Sequence, residues 1–119
     1  MTSAVGLERQ SGVPANTTIL VVEEQFVSEF LRTVLIHRGY QVICTRPGNA
    51  QALLRHDRAS VHVLVTNVPL DFVAFPDLPV LSVAASPDPE VACGFEHCVS
   101  LRKPFQARQL YDCIEQLLP

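Results

Sequence analysis

Four places in this chain of 119 residues carry side chains that could do chemistry: the acidic pair Glu23-Glu24, the amide Asn67, the lysine of Arg102-Lys103-Pro104-Phe105, and the cysteines Cys44, Cys93, Cys98 and Cys113. Asn67 closes Val61-His62-Val63-Leu64-Val65-Thr66, a short apolar run with Pro69 two residues beyond. A run this short and this rich in β-branched residues predicts a strand buried on both faces of a parallel sheet. In open α/β sheets, chemistry sits just beyond the carboxyl ends of the strands. Asn67 therefore stands where a nucleophile or ligand would stand, yet its amide is uncharged and a poor nucleophile. The simplest role for it is to cap the following turn with its side chain. Glu23 and Glu24 suit a helix start, where the macrodipole favours carboxylates. Lys103 is the only lysine, and its simplest role is an ion pair with Glu23. His62 reads as a packed strand residue.

The cysteines form no Cys-x-x-Cys pair, and a zinc site would want tighter clusters. Cys93 and Cys98 with His97 between them could attract a metal, but small core hydrophobes in a reducing cell is the simpler reading.

These residues need elements to position them. Thr18 to Val22 predicts a first doubly buried strand ending on the acidic pair. Val27, Phe30, Leu31, Val34 and Leu35 then recur at helical spacing, with Arg38 in the last turn and Gly39 as a left-handed stop. Tyr40 to Thr45 is a second strand. Pro47-Gly48-Asn49 opens a second helix with Ala50, Leu53 and Leu54 inward, running to about His56. After the strand that ends on Asn67, Pro79 to Ala84 reads as a fourth strand. Only Val68 to Leu78 lies between them, eleven residues that include Pro69 and Pro76. A helical crossover needs about 10–12 residues, so an irregular loop or a single turn is expected. Asp88-Pro89-Glu90 looks like a helix start, which Gly94 limits to one or two turns. Cys98 to Leu101 is a fifth strand, and Leu110, Cys113, Ile114 and Leu117 mark a final helix. Strands alternating with helices or helix-like links predict a flavodoxin-like, doubly wound five-stranded parallel sheet, with its third helix shortened or absent.

Length and composition fit one domain with a single core. A formal charge of −3 with scattered basic residues argues against nucleic acid or an anionic membrane surface as partner. No apolar stretch reaches the ~20 residues of a membrane helix and no signal-peptide core is visible, so a cytoplasmic location is expected. Residues 1–16 lack periodicity and are expected to be a flexible tail, with the domain spanning residues 17–119.

In this order, ILVVEEQ, VHVLVTNVPL, VLSVAA and LRKPF resemble the first, third and fourth strands and the lysine-proline corner of the CheY-like response-regulator receiver domains. The resemblance implies a two-component or phosphorelay signalling module. In active members an acidic pair and an acceptor aspartate hold Mg²⁺, and the aspartate attacks a phosphoryl group. A lysine and a hydroxyl on the fourth strand grip the phosphate. This sequence departs at most of those positions. Asn67 replaces the acceptor, so no acyl phosphate can form there. Glu23 and Glu24 are each one methylene longer than aspartate, and Mg²⁺ tolerates poor octahedral geometry badly. Ala84 stands where the switch hydroxyl belongs, and Ser100 where a switch aromatic is usual. Only Lys103 and Pro104 are retained, and the resemblance implies a cis bond between them, directing the lysine toward Glu23 or Glu24.

The expected function is that of a degenerate pseudo-receiver: not an enzyme, without a cofactor, binding Mg²⁺ at most weakly at Glu23 and Glu24 (worse than about millimolar), and working through a protein partner such as a signalling protein or histidine kinase. Two alternatives stand beside it: a conventional phosphorelay receiver modified by unusual chemistry, and a small flavodoxin-like ligand-binding domain. The short link after Asn67 adds one expectation. It should leave apolar sheet without helical cover. Leu70, Phe72, Val73, Phe75 and Leu78 could fold down as an internal plug over part of it. Phe72 or Phe75 is expected at the edge of the remainder, in contact with a second subunit or another protein.

Overall fold

The computed structural model describes residues 16–86 and 88–119; the tail expected at residues 1–16 lies, but for Asn16, outside the described residues. The apolar runs become five parallel strands: β1 Thr18–Val22, β2 Gln41–Cys44, β3 Val63–Thr66, β4 Val80–Ala84 and β5 Cys98–Arg102. They form one sheet in the order β2-β1-β3-β4-β5. Register pairs Val22 with Thr66, Thr66 with Ser82, and Ala84 with Arg102, so the carboxyl ends of β1, β3, β4 and β5 share one edge of the molecule.

Strand side chains alternate between the two faces, and here both faces are apolar. On one, Ile19, Val21, Val63, Val65, Leu81 and Val83 pack under helices α1 (Gln25–Arg38) and α3 (Ala107–Leu117) through Leu31, Leu35, Leu110 and Ile114. Gly39 ends α1 at φ 109°, the left-handed conformation the sequence calls for. The Gly39 N–H donates to the Ile36 carbonyl at 3.0 Å and the Tyr40 N–H to that of Leu35 at 3.1 Å. The α1–α3 seam is closed by the Tyr111 hydroxyl, which donates to the Val34 carbonyl at 2.7 Å, and by an Arg38–Glu115 ion pair at 2.8 Å.

On the other face, Leu20, Val22, Leu64 and Val80 meet Ala50 and Leu54 of α2 (Pro47–Asp57). The rest of that face has no α-helix. Two short 3-10 turns, Pro69–Phe72 and Pro89–Gly94, stand in place of the third and fourth helices. The start at Asp88 is as expected, its Oδ1 accepting from the Glu90 N–H at 2.9 Å, but the six residues close as a 3-10 turn.

The expectation for Phe72 is overturned. It is wholly enclosed, at 0% exposure, and packs with Leu20, Leu54, Leu64 and Leu78; no surface contact can run through it. Phe75 is half-buried against the same cluster. Backbone bonds tie this plug down: Phe75 N–H to Phe72 at 2.9 Å, Leu78 N–H to Phe75 at 3.1 Å, and Glu96 N–H to Pro76 at 2.9 Å. Val91 of the second turn and Phe95 just beyond it pack into the same cluster. Leu70 and Val73 are the large apolar side chains this loop leaves exposed.

Candidate functional site

Parallel pairing delivers Glu23, Asn67, Ala84 and Lys103 to the shared carboxyl edge. The Asn67 N–H donates to the Val22 carbonyl at 3.4 Å, and the Lys103 N–H to the Ala84 carbonyl at 2.8 Å. The Lys103-Pro104 bond is cis. Lys103 Nζ lies 2.9 Å from Glu23 Oε2, with the Glu23 side chain fully buried and that of Lys103 about a quarter exposed. The contact is an ion pair without an aligned hydrogen bond, since Oε2 has no hydrogen-bond partner of good geometry. The other oxygen, Oε1, accepts from the Glu24 N–H at 2.9 Å. Glu23 is thus committed on both oxygens, while Glu24 is exposed as the residue preceding α1.

Asn67 is exposed, and its side chain does not cap the next turn. That task falls to its neighbour: Thr66, at 0% exposure, accepts the Val68 N–H on Oγ1 at 3.0 Å. A buried hydroxyl needs a partner, and the adjacent N–H supplies one. Ala84 is half-buried and offers no polar atom; Ser100 is exposed on β5. His62 departs from the packed role expected for it: it is exposed, and its Nδ1 accepts the Thr18 N–H at 3.0 Å.

This donor set does not fit Mg²⁺. The ion wants several hard oxygens in near-ideal octahedral geometry. Glu23 faces an ammonium, Asn67 is neutral, and among the described residues no three His, Cys, Asp or Glu side chains gather as a metal site. The metal reading of Cys93 with Cys98 and His97 includes a side chain, that of Cys93, outside the described residues.

Cys44, Cys98 and Cys113 are free. Burial pushes each thiol above its ordinary value, with Asp112 adding to the effect at Cys113 and Arg32 partly opposing it at Cys44. Burial also raises the Tyr40 phenol, with the Glu115 carboxylate adding. A group with a raised folded-state pKa holds its proton more tightly when folded, so its contribution is complete below the unfolded pKa and lost as pH rises through the folded one. The urea midpoint should therefore hold between about pH 7 and 8 and fall above about pH 9. A midpoint as high at about pH 10 as at about pH 7 contradicts this.

No protein-family model and no curated protein matches the chain in sequence. Solved structures match in shape. Vibrio cholerae chemotaxis protein CheY4 superposes with TM-score 0.71 at 18% identity, covering 86% of this chain and 98% of that one. A response regulator receiver protein from Sinorhizobium medicae gives 0.70 at 22%, covering 87% and 94%. A signal receiver domain of a two-component histidine kinase from Clostridium thermocellum gives 0.68 at 15%, covering 86% and 97%. The chain has the CheY-like receiver fold, with strand order 2-1-3-4-5. Among the described residues no helix is long and apolar enough to cross a membrane.

Two features beside this edge went unread in the sequence. An apolar groove of about 550 Å³ runs past Lys103 between Phe26, Phe30 and Phe105. Phe30 and Phe105 stack tilted at 6.0 Å, and Phe26 is 84% exposed. The signal was Phe26 itself, an aromatic off the buried stripe of its helix. The second feature is a cleft of about 400 Å³ lined by Asn67, Ala84 and Ser82 among others. A lone hydroxyl within Val80-Leu81-Ser82-Val83 was its signal.

Proposed function

We propose that this chain is a pseudo-receiver: a receiver-like signalling module that acts by protein contact without carrying a phosphoryl group at Asn67. The observation that carries the proposal is the pairing of Lys103 with buried Glu23 at 2.9 Å. In phosphoryl transfer such a lysine neutralises the incoming oxygens; here its charge is already matched, beside an amide that cannot attack and an alanine that cannot bond phosphate. The exposed Phe26 and Phe30, next to Lys103, are the kind of apolar surface that marks protein contacts, which supports a protein partner. The proposal requires no catalysis and no cofactor, expects Mg²⁺ affinity weaker than about millimolar, and places the protein in the cytoplasm.

Incubation with acetyl phosphate and Mg²⁺ tests it by intact mass. The expected result is no gain of a phosphoryl group, and Asn67→Asp alone should not restore one while Lys103 stays paired. A labile phosphoryl adduct on the unaltered chain overturns the proposal.

A further inference from the structure

Helix α1 and the corner after β5 leave an apolar groove of about 550 Å³ between Phe26, Phe30, Pro104 and Phe105. Phe26 is 84% exposed, so its ring stands at the rim and does not fill the groove. Water against both the ring and the groove walls is unfavourable, and covering them together relieves both. Ring and groove belong to one patch, as a self-complementary twofold contact requires: Phe26 of each copy can enter the groove of the other. The groove is in the size range of whole small-molecule sites, ample for one phenyl ring.

The charges beside the groove select the same occupant. Successive helical residues turn by about 100°, which puts Glu29 beyond Phe26, on the side of α1 away from α3. Arg108 stands on the opposite flank. It shares a row of α3 with Tyr111 and Glu115, which reach Val34 and Arg38 of α1. Glu29 and Arg108 are exposed, and among the described residues neither has an ion-pair partner. Arg32, the next base along α1, lies toward Cys44 on β2. The twofold axis of two facing copies lies in the plane of contact. Set along the groove, that axis brings the Glu29 flank of one copy against the Arg108 flank of the other, twice. An unrelated protein would have to supply both the ring and the reversed charges, whereas a second copy carries them already.

We propose that two copies of this chain pair through this groove, with each Phe26 between Phe30 and Phe105 of the other and Glu29 facing Arg108 in both directions. This names a partner for the contact role proposed above and rests on that role, though not on its phosphoryl chemistry. Fully buried aromatic rings contribute ~150–250 Å² each, so the four partly exposed rings Phe26 and Phe30 of two copies supply less than ~1,000 Å². Stable interfaces begin near ~1,200 Å². The dimer is therefore weak, half-formed on the order of 100 µM.

Sedimentation velocity of the intact chain from about 10 µM to about 1 mM tests this by mass action. The sedimentation coefficient of the unaltered chain should rise with concentration. Phe26→Ser should weaken association more than about tenfold while leaving the urea midpoint unchanged, since the ring is exposed. Glu29→Arg and Arg108→Glu should each weaken it about threefold to tenfold, the scale of two exposed ion pairs. Both reversals in one chain should return the affinity to within about twofold, because each new pair is again opposite in sign. A coefficient constant with concentration, a Phe26→Ser chain that associates like the unaltered one, or a double reversal no tighter than the single ones overturns the proposal. A monomeric chain that also takes up no phosphoryl group loses the dimer and keeps the contact role for a different protein. A phosphoryl adduct on a dimeric chain does the reverse.

Discussion

Replacing Phe72 with alanine is expected to lower stability by about 3–5 kcal/mol, the range for removing a buried aromatic ring. Phe72 is at 0% exposure among Leu20, Leu54, Leu64, Leu78 and Val80. It stands in for much of what a third helix would bury. The loop around it is tied by backbone bonds and by Gln51, so the neighbours can collapse only partly into the space. Leu70 on the same turn is 64% exposed, and Leu70→Ser should stay within about 0.5 kcal/mol. Urea unfolding of the two variants separates a core plug from an interface residue. A plug gives a loss independent of protein concentration, whereas a subunit contact gives one that grows on dilution. A Phe72→Ala loss under about 1 kcal/mol, or one that depends on concentration, would refute the plug.

The central part of the fold was legible because its strands are buried on both faces. Thr18 to Val22, Val63 to Thr66 and Val80 to Ala84 need no partner information to be read as parallel strands, and their alternation assigns each residue to a face. The cap at Gly39 and the α3 stripe of Leu110, Ile114 and Leu117 follow from equally local rules. Irregular backbone was the limit. Within Val68 to Leu78 no period says which phenylalanine turns inward, and the 3-10 turn at Pro69–Phe72 places Phe72 at the core and leaves Phe75 at its margin. The Asn67 cap failed for a related reason. Thr66 and Asn67 both offer an oxygen to the same turn, and the choice depends on burial, which encloses Thr66 and leaves Asn67 in solvent. At the carboxyl edge, the Lys103–Glu23 pair was readable from the lone lysine and the nearby acids. The cleft beside Ser82 showed in the sequence only as a lone hydroxyl in an apolar strand, because its volume depends on the two 3-10 turns that stand in place of helices.

The second large effect is expected at that pair. Lys103→Met should cost about 2–3 kcal/mol, somewhat below the ~3–5 kcal/mol for breaking a wholly buried pair, because the lysine side chain is about a quarter exposed. Loss of the ammonium leaves the Glu23 carboxylate enclosed with only the Glu24 N–H on Oε1 to answer it. The penalty is the desolvation of an unmatched charge rather than the worth of the pair itself. Removing the charge as well should therefore recover most of the loss: Glu23→Leu with Lys103→Met is expected within about 1 kcal/mol of the unaltered chain, as buried pairs exchanged for apolar residues often are. A weak surface pair would behave differently, with the single and double variants alike and each within about 1 kcal/mol. Urea unfolding of the single and double variants decides between these outcomes. A double variant less stable than Lys103→Met would show that Glu23 contributes through its bond to the Glu24 N–H and not through its charge, and would remove the pairing argument on which the proposed phosphorylation-independent role rests.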